Sequence, residues 1–243
     1  MQWRDRGYMP HVDGEELIQH VSYHLADSLP KEALERMAAE TKSLPPKLRD
    51  TEKEKRIAAY LDAGKGSCVL RVPEIAELVQ NSLLLFHGER YILHAWCVMP
   101  NHVHVLFQPV NGWSMSKIVS SWKSFTGRKI SAYVKGAGLE PVFSTPAKLA
   151  PDEPTAAGLA TFQRGSTVRA GLEPGEPSGG PPNPNRIWHR EYWDRYIRDH
   201  VHYMNAVNYI HNNPLKAMLV AAPEDWKWSS ANAAGLEPGE PSE

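Results

Sequence analysis

Tyr91–Phe107 reads YILHAWCVMPNHVHVLF. Two runs rich in aromatic and β-branched residues, Tyr91–Met99 and His102–Phe107, flank Pro100-Asn101, the signature of paired strands joined by a tight hairpin or bulge. Side chains alternate across a strand, so His102 and His104 project to one face and Val103 and Val105 to the other. Working outward, Leu17–Leu25 (LIQHVSYHL) is an earlier strand. Ser28 is placed to cap a helix with Pro30 in its first turn and Glu32–Glu40 in its body. A second charged helix covers roughly Thr51–Leu61 and stops at Gly64. After Pro73, the apolar residues Ile75, Leu78, Val79, Leu83 and Phe86 keep the helical period until Gly88. Ser114–Val134, Arg190–Arg198 and His200–Asn213 also read as helices. A strand, helices, two strands and further helices imply an α+β chain. Its natural form is a ferredoxin-like antiparallel sheet with helices packed on one face, whose fourth strand is not evident in the sequence.

The segment 136–185 interrupts this pattern with nine prolines, eight glycines and no sustained apolar period. Such a composition buries too little surface to offset its ordering entropy, so it is expected to be a disordered insertion. The folded domain is then 1–135 and 186–232, with 233–243 a disordered acidic tail. Ala170–Ser178 and Ala234–Ser242 both read AGLEPGEPS, a repeat too short and polar for a solenoid. The net charge of −1 hides an asymmetry: outside the insertion and the tail, 24 Lys/Arg face 20 Asp/Glu. The body is therefore mildly basic, which permits a nucleic-acid face. No run reaches a membrane span. The segment after Met1 lacks the apolar core of a secretory leader, so a cytoplasmic protein is expected. Cys68 and Cys97 sit among apolar neighbours and are read as buried free thiols without a disulfide partner.

Two imidazoles side by side on a strand can hold a divalent ion, which suits phosphoryl chemistry, although most such pairs are solvated or hydrogen-bonded. Two histidines alone fall short of a closed zinc site, so a third protein oxygen and water would complete it. In His200–Asn213, the residues Tyr203, Met204, Val207 and Ile210 share an inward face. Asn205, Tyr209 and Asn213 form a second stripe four residues apart. Pro214 ends the helix. Tyr209 could stand beside an ion held by the histidines, with Asn213 or His202 offering a third ligand. Tyr192 and Tyr196 are alternative tyrosines, and a structural role is open to each of them.

The ordered motifs resemble the REP-associated tyrosine transposases of the single-tyrosine, histidine–hydrophobe–histidine class. Besides Leu93–Phe107, the resemblance is carried by Arg6–His11, Val119–Thr126, Ile187–Arg198, Val207–Lys216 and Trp226–Ser230. It implies that His102 and His104 bind the metal, that Tyr209 is the nucleophile and that Asn213 is the third ligand. It further implies Mg²⁺ or Mn²⁺ as cofactor and single-stranded, hairpin-forming chromosomal repeats as DNA partner, at the nucleoid, for a monomer or homodimer. A metal phosphodiesterase that uses water, and a catalytically silent repeat-binding protein, are the alternatives. Candidate DNA contacts are Arg4, Arg6 and Tyr8 on an N-terminal arm, then Lys117, Trp122, Lys123 and Arg128, and finally Arg190, Arg195 and Arg198 near the tyrosine helix.

Overall fold

Four strands form an antiparallel sheet in the computed structural model, which describes residues 2–5, 10–13, 17–136 and 186–232. A two-stranded hairpin, β1 (Gln2–Asp5) with β2 (Pro10–Asp13), precedes it. The main sheet comprises β3 (Gln19–His24), β4 (Tyr91–Val98), β5 (His102–Pro109) and β6 (Trp193–Tyr196), in the order β4-β5-β3-β6. Between β3 and β4 lie helices α1 (Lys31–Thr41), α2 (Pro46–Asp62) and α3 (Pro73–Leu84). Helix α4 (Met115–Gly136) lies between β5 and β6, and α5 (His200–His211) and α6 (Asn213–Lys216) follow. Taken with α3 and α4 as the crossovers, this is the β-α-β-β-α-β order of the expected ferredoxin-like sheet.

Alternation along β5 assigns the two faces. Val103, Val105 and Phe107 join Val21, Tyr23, Trp96 and Val98 in a core sealed by α3 (Ile75, Val79, Leu83) and α4 (Met115, Ile118, Trp122). Helices α3 and α4 therefore share one face. The tyrosine-bearing α5 covers the opposite face, where Tyr203, Ala206, Val207 and Ile210 pack on Ala95, Cys97 and Leu106. His102 and His104 open onto this second face, beside Leu106. A smaller cluster of Leu29, Ala33, Met37, Ile57 and Leu61 joins α1 to α2, with Trp193 against it. Cys68 and Cys97 are both buried. Among the described residues no helix is long and apolar enough to cross a membrane.

Three local expectations change. Arg190–Arg198 is not a helix but carries the missing fourth strand: Trp193 pairs with Ser22 and Tyr196 with Gln19. The open edge of β3 offers these aromatic, β-compatible residues a ladder that no isolated helix could match. Ser28 does not cap α1; its hydroxyl donates to Leu25 O at 2.8 Å, and α1 begins after Pro30 without a side-chain cap. Trp122 is not available to DNA. It is 2% exposed, its Nε1 donates to Tyr91 Oη at 3.0 Å, and Tyr91 Oη donates to Leu83 O at 2.8 Å. The reason is helical phase, since Trp122 lies on the same inward stripe of α4 as Ile118 and Val119. The insertion and the tail lie outside the described residues.

Trp122 also packs edge-on against Tyr91 and Phe107, with ring centroids 5.1 and 5.0 Å apart. Trp122→Ala should therefore lower stability by about 3–5 kcal/mol. A urea titration followed by circular dichroism should show the midpoint falling, whereas an interface role would leave it unchanged.

Candidate active site

The turn between β4 and β5 sets the first histidine. Asn101 is fully buried, and its Nδ2 donates to Leu61 O at 3.1 Å and Lys65 O at 2.8 Å. Those two bonds orient the amide, so Oδ1 accepts from His102 Nδ1–H at 2.7 Å. His102 Nε2 must then carry the lone pair. It faces His104 Nε2 at 2.9 Å, while His104 Nδ1 lies 2.6 Å from Ser22 Oγ on β3. Ser22 can either donate or accept, and so serves both tautomers of His104.

The same two Asn101 bonds clasp the end of α2, where Asp62 stands. One carboxylate oxygen of Asp62 lies 3.5 Å from His102 Nε2 and is buried without a hydrogen-bond partner. This is consistent with an imidazole nitrogen that presents no proton. The ligand atoms of Asp62, His102 and His104 all lie within 4.8 Å of one another. Two neutral imidazole nitrogens and one carboxylate oxygen, oriented from behind by Asn101 and Ser22, fit a divalent cation. The loop after α2 depends on Gly66, whose φ is +91° and where a Cβ would come within 2.7 Å of Ser28 Cα.

Burial governs the protonation of the whole cluster. It pushes His102 down to about 3 and His104 well below its ordinary value, with His102 and His20 adding repulsion to His104. His20 falls to about 4, through burial first and then the charge of Arg195. Asp62 moves the other way, up to about 6, because burial outweighs the attraction of Lys216. All three imidazoles are therefore neutral ligands or bases at pH 7, and Asp62 is largely ionised.

Helix α5, capped by Asp199 Oδ1 accepting from His202 N at 2.7 Å, brings Tyr209 to this cluster. The Tyr209 ring meets His104 edge-on at 5.3 Å between centroids and His20 at 5.7 Å. Lys216 Nζ sits 4.9 Å from the Tyr209 ring centroid. Burial pushes the Tyr209 phenol up to about 12; the Asp62 charge adds to this and Asn213 opposes it. The competing tyrosines stand elsewhere. Tyr203 Oη lies 3.3 Å from His94 Nδ1, Tyr192 is buried in the α4 core, and Tyr196 is on β6.

Asn213 is fully buried; its Nδ2 donates to Tyr209 O at 3.0 Å and its Oδ1 has no hydrogen-bond partner. His202 is not among the converging ligand atoms. Asp62 and His20 escaped the sequence reading. The rule that paired His102 with His104 would have paired His20 with Ser22, but nothing local marks Asp62.

The basic candidates separate. Lys123 Nζ donates to Arg190 O at 2.8 Å and lies over the Tyr192 ring, so it ties α4 to the chain before β6. Lys117 and Arg128 are exposed, but α4 covers the face away from the histidines. Arg195 pairs in register with His20 and is exposed on the histidine side. Arg198 is exposed just before α5, and Arg190 meets Glu191 at 3.5 Å. Arg4 lies on β1, and Arg6 and Tyr8 are outside the described residues.

Comparison with known proteins agrees with the resemblance read from the sequence. Residues 78–138, from α3 through the histidine hairpin and α4, match the family described as Transposase IS200 like. A Haemophilus influenzae protein named as a REP-associated tyrosine transposase is 41% identical over 44 residues, 18% of this chain and 25% of that protein. The match thus spans a quarter of the relative's length. A solved structure, described as a REP-associated tyrosine transposase bound to a REP hairpin, is similar at 15% identity and a TM-score of 0.39. It is covered over 92% of its length by 100% of this chain. The family match includes His102 and His104, and Tyr209 lies beyond it.

Because Asp62 must lose its proton to ligate a cation, Mn²⁺ affinity should rise as pH increases through about 6. His102 and His104, neutral across that range, should contribute no slope there. Calorimetric titrations should show Asp62→Asn flattening this dependence. Asn101→Ala should weaken Mn²⁺ binding about ten- to a hundredfold by freeing the His102 ring.

Proposed function

We propose that this chain, akin to the IS200-like transposases over residues 78–138, is a metal-dependent single-stranded DNA endonuclease and strand transferase. Its substrates would be hairpin-forming chromosomal repeats, which places its work at the nucleoid. The observation that carries the reading is the Tyr209 ring against His104, beside the converging Asp62, His102 and His104.

Tyr209 Oη attacks the scissile phosphorus in line and loses its proton. The bond from phosphorus to the 3′-oxygen of the preceding nucleotide breaks, and that oxygen takes up a proton. The products are a 5′-phosphotyrosine and a free 3′-hydroxyl. A DNA 3′-hydroxyl can later attack the same phosphorus and release Tyr209, so rejoining needs no external energy source. Asp62, His102 and His104 would hold the cation, with the Asn213 amide oxygen as a further ligand. When bound, Mg²⁺ or Mn²⁺ supplies charge neutralisation at the non-bridging oxygens. Lys216, 4.9 Å from the phenol ring centroid, would offset part of the charge of a phenolate that burial disfavours.

Arg190, Arg195 and Arg198 are the phosphate contacts this reading prefers, because they accompany β6 and the start of α5. Arg4, Arg6 and Tyr8 would extend the track as an arm onto single-stranded flanks.

Incubation with single-stranded repeat DNA and Mn²⁺, followed by denaturing electrophoresis, should reveal protein-linked DNA. Tyr209→Phe should abolish the adduct while leaving hairpin affinity within about threefold, since only a hydroxyl is removed. His102→Ala and His104→Ala should each lower adduct yield at least about a hundredfold. Cleavage without an adduct would instead make water the nucleophile, and binding without cleavage would make the protein a silent repeat binder.

A further inference from the structure

Strand β3 brings two polar side chains to the histidine cluster from beside β5. His20 and Ser22, two residues apart, project to one face, and Ser22 pairs in register with His104. His20 Nε2 lies 3.4 Å from His104 Nδ1 and 3.5 Å from Ser22 Oγ, while Ser22 Oγ and His104 Nδ1 stand 2.6 Å apart. The His20 ring also meets Tyr209 edge-on, with centroids 5.7 Å apart. His20 therefore adjoins both a candidate metal ligand and the candidate nucleophile, although no step of the proposed cleavage uses it.

Hydrogen counting fixes the direction of these bonds. Asn101 commits His102 Nδ1 as a donor, so His102 Nε2 is an acceptor. His104 Nε2, 2.9 Å away, must then carry the hydrogen between them. That leaves His104 Nδ1 bare and accepting from the Ser22 hydroxyl. With the hydroxyl hydrogen committed to His104, His20 Nε2 can only donate. The chain therefore runs one way, from His20 through Ser22, His104 and His102 to Asn101. Each ring in it carries one hydrogen.

Ligation of a cation imposes the opposite direction beyond His102. His104 Nε2 must be bare to coordinate, so the His104 hydrogen stands on Nδ1 and points at Ser22 Oγ. Ser22 then turns its own hydrogen towards His20 Nε2, which must be bare to accept it, and His20 carries its hydrogen on Nδ1. One hydrogen is lost at His104 Nε2 and one is gained at His20 Nδ1, with water as the carrier. Neither the proton count nor the charge of the chain changes. His102 Nε2 is bare in both arrangements, so Asn101 keeps its bond throughout.

We infer that His20 is a positioning residue of the metal centre: it exchanges tautomers with His104 through Ser22, and so keeps the His104 ring hydrogen-bonded from behind both as a donor and as a ligand. This role rests on cation ligation by His104 and not on strand cleavage. Without an acceptor at His20, the Ser22 hydrogen loses its partner within the cluster whenever His104 ligates.

The test uses the full-length protein, isotopically labelled, at pH 7, where burial keeps these imidazoles neutral. Long-range proton–nitrogen correlation spectra distinguish the two tautomers of each ring, and His20→Gln assigns the His20 signals by their loss. The His20 hydrogen should stand on Nε2 without added metal and on Nδ1 with saturating Mg²⁺. Calorimetry supplies the second measurement. His20→Phe, which keeps a ring but accepts no hydrogen bond, should weaken Mn²⁺ binding about tenfold. His20→Gln, whose amide group reaches the place of Nε2, should hold affinity within about threefold of wild type. A His20 tautomer that stays unchanged while Mg²⁺ shifts the His102 and His104 signals overturns the exchange and leaves the metal centre standing. Equal losses in the Gln and Phe variants make His20 a packing residue and overturn its positioning role as well. Mg²⁺ that shifts none of the histidine signals overturns the metal centre, and this role with it.

Discussion

Asn101 is the constraint on which the site depends. Its side chain bonds two carbonyls at the end of α2 and the Nδ1–H of His102, joining a helix end and a strand turn that are distant in sequence. With both amide hydrogens committed, the tautomer of His102 has no freedom, and the lone pair on Nε2 is directed at His104 and Asp62. The same bonds bring Asp62 to the sheet. A buried amide so satisfied is rigid, because leaving any of its partners bare would cost about 1–3 kcal/mol each.

Around that anchor the electrostatics divide the work. Imidazoles stripped of water stay neutral and keep their lone pairs, while a carboxylate under the same burial keeps its proton to a higher pH than usual. The resulting cluster is short of positive charge at neutral pH, which is what attracts a cation. Lys216 and Arg195 lie at its margins instead of its centre.

The scaffold makes this precision affordable through two-sided burial of β5. One face belongs to the α3–α4 core, and a one-residue slip would exchange Val103 and Val105 for His102 and His104 in an apolar layer. Register is therefore strongly specified at the strand that carries the site. Strand β6 then closes the edge of β3 and places Arg195 opposite His20.

The amino-acid sequence by itself determined the hairpin, the projection of His102 and His104 to one face and the helix that carries Tyr209. Each follows from backbone periodicity or a proline, and those act between residues a few positions apart. It also marked the ordered motifs that the family match bears out over residues 78–138. Only the tertiary structure decided that Asp62 joins the histidines, that Trp193–Tyr196 is a strand and that Trp122 serves the interior. An aspartate at a helix end, a tryptophan on a helix and an arginine-flanked segment each have several local readings of similar energy. Long-range strand pairing and the burial of one helical stripe choose among them, and neither is a property of any short stretch of chain.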